Sequence, residues 1–314
     1  MKKNISSHFQ HKKRSDTPMI SVLVIGESAR ADRFSINGYN KNTTPLLSNK
    51  QGVISFKDTS SCDTSTLSSV PCLLLRAGYS EFKFPIDESS FVQVFSDKDF
   101  DTHWLTLQRE APVIHTFCEE AHECVDLHSM KYDMGVLEKY KEIIASATKD
   151  TLIVIHTMGS HTDYNTRVPP KYQKFQPTCT GAYETCTDTL LDNSYDNTIY
   201  YTDMLLSNMI TALEDKNAFL FYTSDHGESL GETYLGFIRR FGHASPYDVA
   251  PKAQTNMPFI VWFSDQYKKI NSRVNEIDKE QHVSHDFIFS SMLGCAGFEG
   301  EYIDDAWNLC QEKK

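Results

Sequence analysis

The chain has no apolar run of the roughly 18 to 20 residues needed to span a bilayer. Its strongest runs, Ile20 to Ile25, Leu152 to Ile155 and Phe259 to Phe263, are of strand length. An excess of positive charge is also missing, since 31 Lys and Arg stand against 42 Asp and Glu for a net charge of -11. That argues against nucleic-acid binding, which needs a basic face, and against adhesion to anionic lipid by charge alone. Lys2, Lys3, Lys12, Lys13 and Arg14 have no hydrophobic stretch behind them, so the N-terminus is not a signal peptide. Residues 1–18 read as a flexible lead-in, a linker to a membrane anchor outside this sequence, and residues 19–314 as a single domain. Internal repeats, low-complexity segments and the C-x2-C spacing of zinc ribbons are absent as well.

Cysteine, by contrast, is plentiful. Eight cysteines fall into four close sequential pairs, Cys62 and Cys72, Cys118 and Cys124, Cys179 and Cys186, Cys295 and Cys310. Pairing each with its neighbour closes four short loops and implies an oxidising compartment, a periplasm or the extracellular space.

Continuous apolar runs mark buried strands at Ile20–Ile25, Val53–Phe56, Thr151–Ile155, Ala218–Tyr222 and Met257–Phe263, with a further strand over Thr102–Leu107. Helical spacing marks Met134–Thr148 and Leu190–Leu213; Ser89–Asp97 and Phe287–Leu293 also read as helix, and Leu67–Leu75 does so against the presence of Pro71. Ser28 is placed to cap a short helix through Phe34, and Cys118 to Cys124 encloses an acidic loop. This alternation predicts one α/β domain, with a largely parallel central sheet flanked by helices on both faces.

Candidate chemistry gathers where the strands end. Ala218 to Tyr222 runs into Thr223-Ser224-Asp225-His226-Gly227-Glu228, Ile20 to Ile25 into Gly26-Glu27-Ser28, and Thr151 to Ile155 into His156-Thr157-Met158-Gly159-Ser160-His161. In an open α/β sheet such ends share one edge, so residues far apart in sequence converge there. An Asp oxygen beside a His nitrogen suits zinc or manganese. Taken alone, Asp-His-Gly reads equally as a polar turn closing a strand. The hydroxyl cluster of Thr64, Ser65 and Thr66 supplies a candidate nucleophile, because a divalent cation lowers a hydroxyl's pKa.

These stretches carry a resemblance. The strand followed by Gly26-Glu27-Ser28-Ala29-Arg30, the run from Cys62 to Cys72, the start of Cys118 to Cys124, His156 to His161, the loop Cys179 to Cys186, and Ser224-Asp225-His226-Gly227-Glu228-Ser229-Leu230-Gly231-Glu232 resemble the lipid A and lipooligosaccharide phosphoethanolamine transferases. The match is collinear from about residue 20 to 265. It implies the periplasmic catalytic domain of an inner-membrane enzyme with an alkaline-phosphatase/sulfatase-like fold, whose family includes the transferable polymyxin-resistance proteins.

By position, the resemblance implies Thr66 as the nucleophile and Glu27, Thr66, Asp225 and His226 as ligands of one tightly bound zinc. His156, His161 and His243 would line the substrate side, with a second zinc near His161 and His243. The donor would be phosphatidylethanolamine, the acceptor lipid A or lipooligosaccharide, and the domain a monomer. Between Glu232 and His243 the chain reads Thr-Tyr-Leu-Gly-Phe-Ile-Arg-Arg-Phe-Gly, longer than the family's usual connection, which leaves the place of His243 open. Two other readings stand beside this one. A phosphodiesterase or sulfatase-type hydrolase would pass the group to water, although the sulfatase motif C/S-x-P-x-R is absent, Cys72 being followed by three leucines. A non-catalytic ectodomain binding zinc or glycolipid would instead close its metal shell with protein ligands alone.

Overall fold

A parallel strand in the middle of a sheet has both faces covered, so all its side chains are apolar and no alternation survives. The computed structural model, which describes residues 2–234 and 238–311, places the apolar runs in one seven-stranded sheet. Its strands are β1 (Met19–Gly26), β2 (Val53–Phe56), β3 (Asp101–Thr106), β4 (Glu123–Asp126), β5 (Thr151–His156), β6 (Asn217–Ser224) and β7 (Phe259–Phe263). The spatial order is β2-β7-β6-β1-β5-β3-β4. From β6 across to β4 all neighbours are parallel, whereas β7 runs antiparallel to both β6 and β2. The sheet is therefore mixed and largely parallel.

Helices cover both faces. On one side Leu23 and Ile25 of β1 pack with Val70 and Leu73 of α1 (Thr66–Leu74), Phe117 of α2 (Pro112–Cys118) and Ile288 of α5 (Asp286–Cys295). On the other, Val22 and Val24 pack with Tyr140 of α3 (Val136–Ser146) and with Tyr195 and Leu206 of α4 (Asp188–Thr211). The four cysteine pairs are all joined as their spacing suggests.

Four local expectations are corrected. The lead-in is not loose: Ile5 and Phe9 are buried, and Phe9–His11 pairs antiparallel with Phe298–Gly300, so the start of the chain is stapled to its end. Ser28 caps no helix, because it sits in a left-handed conformation (φ 56°) with its hydroxyl donating to Glu27 Oε1 at 2.7 Å. Part of the acidic Cys118–Cys124 stretch opens β4, an edge strand whose short alternating pattern conceals it. Pro71 does not count against the helix read over Leu67–Leu75: it lies inside α1, where the buried Val70, Cys72, Leu73 and Leu74 hold a helix that the one missing N–H weakens.

Candidate active site

Gly26 of β1 lies in register with Ser224 of β6, so Glu27 and Asp225 leave neighbouring strands side by side. Asp225 N–H donates to the Gly26 carbonyl at 3.0 Å, one more rung of the parallel ladder beyond Ser224. Asp225 Oδ1 then accepts from Ser28 N–H at 3.1 Å and His226 N–H at 2.8 Å. With Oδ1 satisfied, Oδ2 is buried without a hydrogen-bond partner, 3.3 Å from His226 Nε2. The His226 ring is oriented from its other side. Its Nδ1 lies 2.8 Å from the Gly227 carbonyl, which can only accept, so Nδ1 carries the proton and Nε2 turns a lone pair inward. Gly227 is required sterically, since a Cβ there would sit 2.0 Å from the Ala253 carbonyl oxygen.

Thr66 begins α1 and reaches the same point. Its Oγ1 donates to Glu27 Oε2 at 2.9 Å and lies 3.3 Å from His226 Nε2. Thr64, the rival nucleophile two residues earlier, is buried and gives its hydroxyl to the Ser245 carbonyl at 2.6 Å. Ser65 occupies the N-cap position of α1 and makes no side-chain cap bond.

Two buried carboxylates and an imidazole lone pair thus converge. Glu27, Asp225 and His226 each offer a ligand atom, all within 4.8 Å of one another. Burial resists ionising Glu27, but the neighbouring imidazoles of His226 and His161 and hydrogen bonds from Ser28 and Gln108 hold its carboxyl well below the usual range. Burial, with Glu27 beside it, pushes Asp225 up. The pair therefore accepts one negative charge far more readily than two, and a cation between them removes the conflict. The unpartnered Asp225 Oδ2 and the inward Nε2 of His226 make this donor set fit zinc.

The other predicted histidines part company. His243 Nδ1 is 2.7 Å from the buried Glu228 Oε2, and its ring centre is 4.3 Å from that of His226. The extra residues before it form a hairpin, Ser229–Tyr234 with Ile238–Gly242, whose tip at 235–237 lies outside the described residues. Gly242 pairs with Ser229 at its base, which returns His243 to the side of Glu228. Burial alone would lower His243, but Glu228's hydrogen bond and charge raise it above its ordinary value. His226, Glu228 and His243 form a second group able to hold a metal. His161 is outside that group, half-buried, with its ring 6.3 Å from that of His243. His156, expected on the substrate side, is instead fully buried, with Nδ1 3.0 Å from Glu110 Oε1. Its Nδ1 is committed to Glu110, and it belongs to neither metal-capable group.

Three residues went unassigned in the sequence. Glu228 stands inside the quoted Asp-His-Gly-Glu segment, where Tyr164 OH donates to its Oε1 at 2.8 Å. Gln108 and Glu110 follow the end of β3, where the rule applied to Glu27, His156 and Asp225 would have found them.

A model of the Sulfatase family matches residues 20–298. The chain belongs to the sulfatase family. Within it, the chain is 34% identical over 323 aligned residues to phosphoethanolamine transferase EptA of Escherichia coli (strain K12), over 96% of this chain and 57% of that protein. It thus spans little more than half the length of this curated relative. The C-terminal periplasmic domain of phosphoethanolamine transferase EptC from Campylobacter jejuni superposes with a TM-score of 0.88 at 33% identity, covering 99% of this chain and 97% of that one. The soluble domain of lipooligosaccharide phosphoethanolamine transferase A from Neisseria meningitidis gives 0.90 at 27% identity, over 99% of both chains. The sulfatase-family fold is the one the resemblance implied. Among the described residues, no helix is long and apolar enough to cross a membrane.

Proposed function

We propose that this domain transfers phosphoethanolamine from phosphatidylethanolamine to lipid A or a related lipooligosaccharide, through a covalent phosphoethanolamine-threonine at Thr66. One observation carries the reading: the Thr66 hydroxyl, at the first turn of α1, is within hydrogen-bond reach of both Glu27 and His226, beside the unpartnered Asp225 oxygen. The similarity to transferases along nearly the whole chain supports it. Glu27, Asp225, His226 and Thr66 would hold the zinc, which when bound lowers the pKa of a hydroxyl and offsets charge on the phosphoryl oxygens.

The chain's own groups do the rest. Glu27 Oε2 accepts from Thr66 Oγ1 and so directs an oxygen lone pair away from the carboxylate, toward an incoming phosphorus. As the Thr66 oxygen bonds to phosphorus it releases its hydroxyl proton along the hydrogen bond to Glu27 Oε2, and the diacylglycerol oxygen departs and takes up a proton. His243, held by Glu228, is the imidazole placed to supply that proton at Nε2 and to take one back from the acceptor hydroxyl in the second half-reaction. His161 lines the same side. The second metal-capable group, His226 with Glu228 and His243, shares the His226 Nε2 with the first and His243 with the proton transfer, so a zinc there, beside the His161 and His243 position expected for one, would replace this arrangement rather than join it. The four disulfides suit the periplasmic face of a Gram-negative inner membrane. A zwitterion placed on an exposed phosphate there would weaken binding of cationic polymyxins.

The test is mass spectrometry of the Thr66 peptide after incubation with a phosphatidylethanolamine analogue, together with diacylglycerol release by wild type and Thr66→Ala. An adduct on Thr66 and no release by the variant are expected. Release at the wild-type rate by Thr66→Ala would overturn the assignment. Phosphoethanolamine recovered on glycolipid, rather than free in solution, separates transfer from hydrolysis.

A further inference from the structure

Glu27 is held from two sides, and only one of its supports comes from its own segment. Ser28 Oγ donates to Oε1 at 2.7 Å. Oε2 receives Gln108 Nε2 at 3.0 Å, from the segment that follows β3, two strands away from β1. The same Gln108 nitrogen donates to the Thr157 carbonyl at 2.8 Å. Its two partners are an ionised carboxylate and a carbonyl, neither of which has a proton to give, so the amide can face them only with its NH2 end and both N–H bonds are used. Thr157 is itself tied to β1, its N–H donating to the Ile25 carbonyl at 3.0 Å. Gln108 therefore bridges the ends of β1 and β5 through the one carboxylate that Thr66 also touches.

We propose that Gln108 is a positioning residue that fixes the plane of the Glu27 carboxylate for the metal. This rests on the reading of Glu27, Asp225 and His226 as metal ligands. A carboxylate with at least one donor on each oxygen has lost its free rotation before the cation arrives, and outer partners of this kind are typically worth about 10- to 100-fold in metal affinity. Gln108 touches neither the nucleophile nor the imidazoles, so its effect passes through Glu27. The segment holding it is anchored independently, by the Glu110 contact to Trp104 Nε1 at 2.9 Å and to His156.

The experiment measures zinc dissociation constants by chelator competition, and metal-free melting temperatures in EDTA, for wild type, Gln108→Met and Glu27→Ala. Methionine keeps the volume and removes the donor. The expected result is zinc binding about 10- to 100-fold weaker in Gln108→Met, with its metal-free melting temperature lowered by only a few degrees as two buried acceptors lose their donor. Wild-type zinc affinity in Gln108→Met, while Glu27→Ala loses zinc, would overturn the positioning role. A loss of affinity that vanishes when zinc binding is measured well below the variant's metal-free melting temperature would overturn it too, as a general structural effect. Undiminished zinc binding in Glu27→Ala would instead remove the metal-site reading on which the inference stands.

Discussion

Replacing Asp225 by asparagine should stabilise the metal-free protein and destabilise the zinc-loaded one. Asparagine keeps an Oδ1 for the Ser28 and His226 N–H groups, and sets an NH2 where Oδ2 faces the His226 Nε2 lone pair at 3.3 Å. Burial and Glu27 push the Asp225 carboxyl up to about 6 in the folded chain, against about 3.9 when unfolded. The folded state therefore holds this proton more tightly, and folding stability falls as pH rises from about 4 through about 6. Above pH 6 the buried carboxylate carries this penalty in full, and asparagine, a buried polar group without charge, should recover about 1–3 kcal/mol.

For a chain of 314 residues, ~2 kcal/mol moves the melting temperature by ~3 °C. Zinc at a thousandfold its dissociation constant adds about 4 kcal/mol to wild type alone, because the variant has lost a charged ligand. The assay is thermal unfolding in EDTA and in zinc, at pH 7.5 and pH 4.5. Asp225→Asn should melt above wild type in EDTA at pH 7.5, lose most of that advantage at pH 4.5, and fall below wild type in zinc. A lower melting temperature for the variant in EDTA at pH 7.5, or equal zinc shifts for both proteins, would refute the convergent-carboxylate argument.

Gly227→Ala places a Cβ 2.0 Å from the Ala253 carbonyl oxygen, with backbone on both sides. It should cost about 1–3 kcal/mol in denaturant unfolding and weaken zinc binding by displacing His226. In Glu228→Gln the partner that raises His243 loses its charge, so the His243 titration midpoint, followed by NMR in EDTA, should move down. An unmoved midpoint would show that Glu228 does not govern that ring. Leu23→Ala removes a fully buried side chain from the middle of β1 and should cost about 2–5 kcal/mol with the zinc constant unchanged.

The supports of the site were harder to read than its centre. Glu27 and Asp225 were legible because each is the first polar side chain beyond an unbroken apolar strand, a local signal. Gln108 and Glu110 give the same signal after β3, but Thr102 and Thr106 break that strand's apolar run and blur where it ends. His156 gave the signal as well and is held by Glu110 outside the converging group, because the partner a strand end meets depends on what packs over it rather than on the strand. The N-terminal residues looked like a linker since Ile5 and Phe9 are isolated apolar positions in a polar stretch. Their docking site is made by Phe298–Gly300, nearly three hundred residues away.

By itself the sequence determined the buried strands, the disulfide loops and most of the residues that end at the sheet's edge, because periodicity and burial on both faces are written locally. It did not determine which hydroxyl meets which carboxylate. Thr66 rather than Thr64 faces Glu27 because α1 begins there and the Ser245 carbonyl has claimed Thr64. His243 meets Glu228 because a hairpin folds the longer connection back on itself. Asp225 keeps a free oxygen because two backbone N–H groups took the other. Each of these is a competition among donors and acceptors brought close only by the fold, and three-dimensional proximity is what a one-dimensional pattern leaves out.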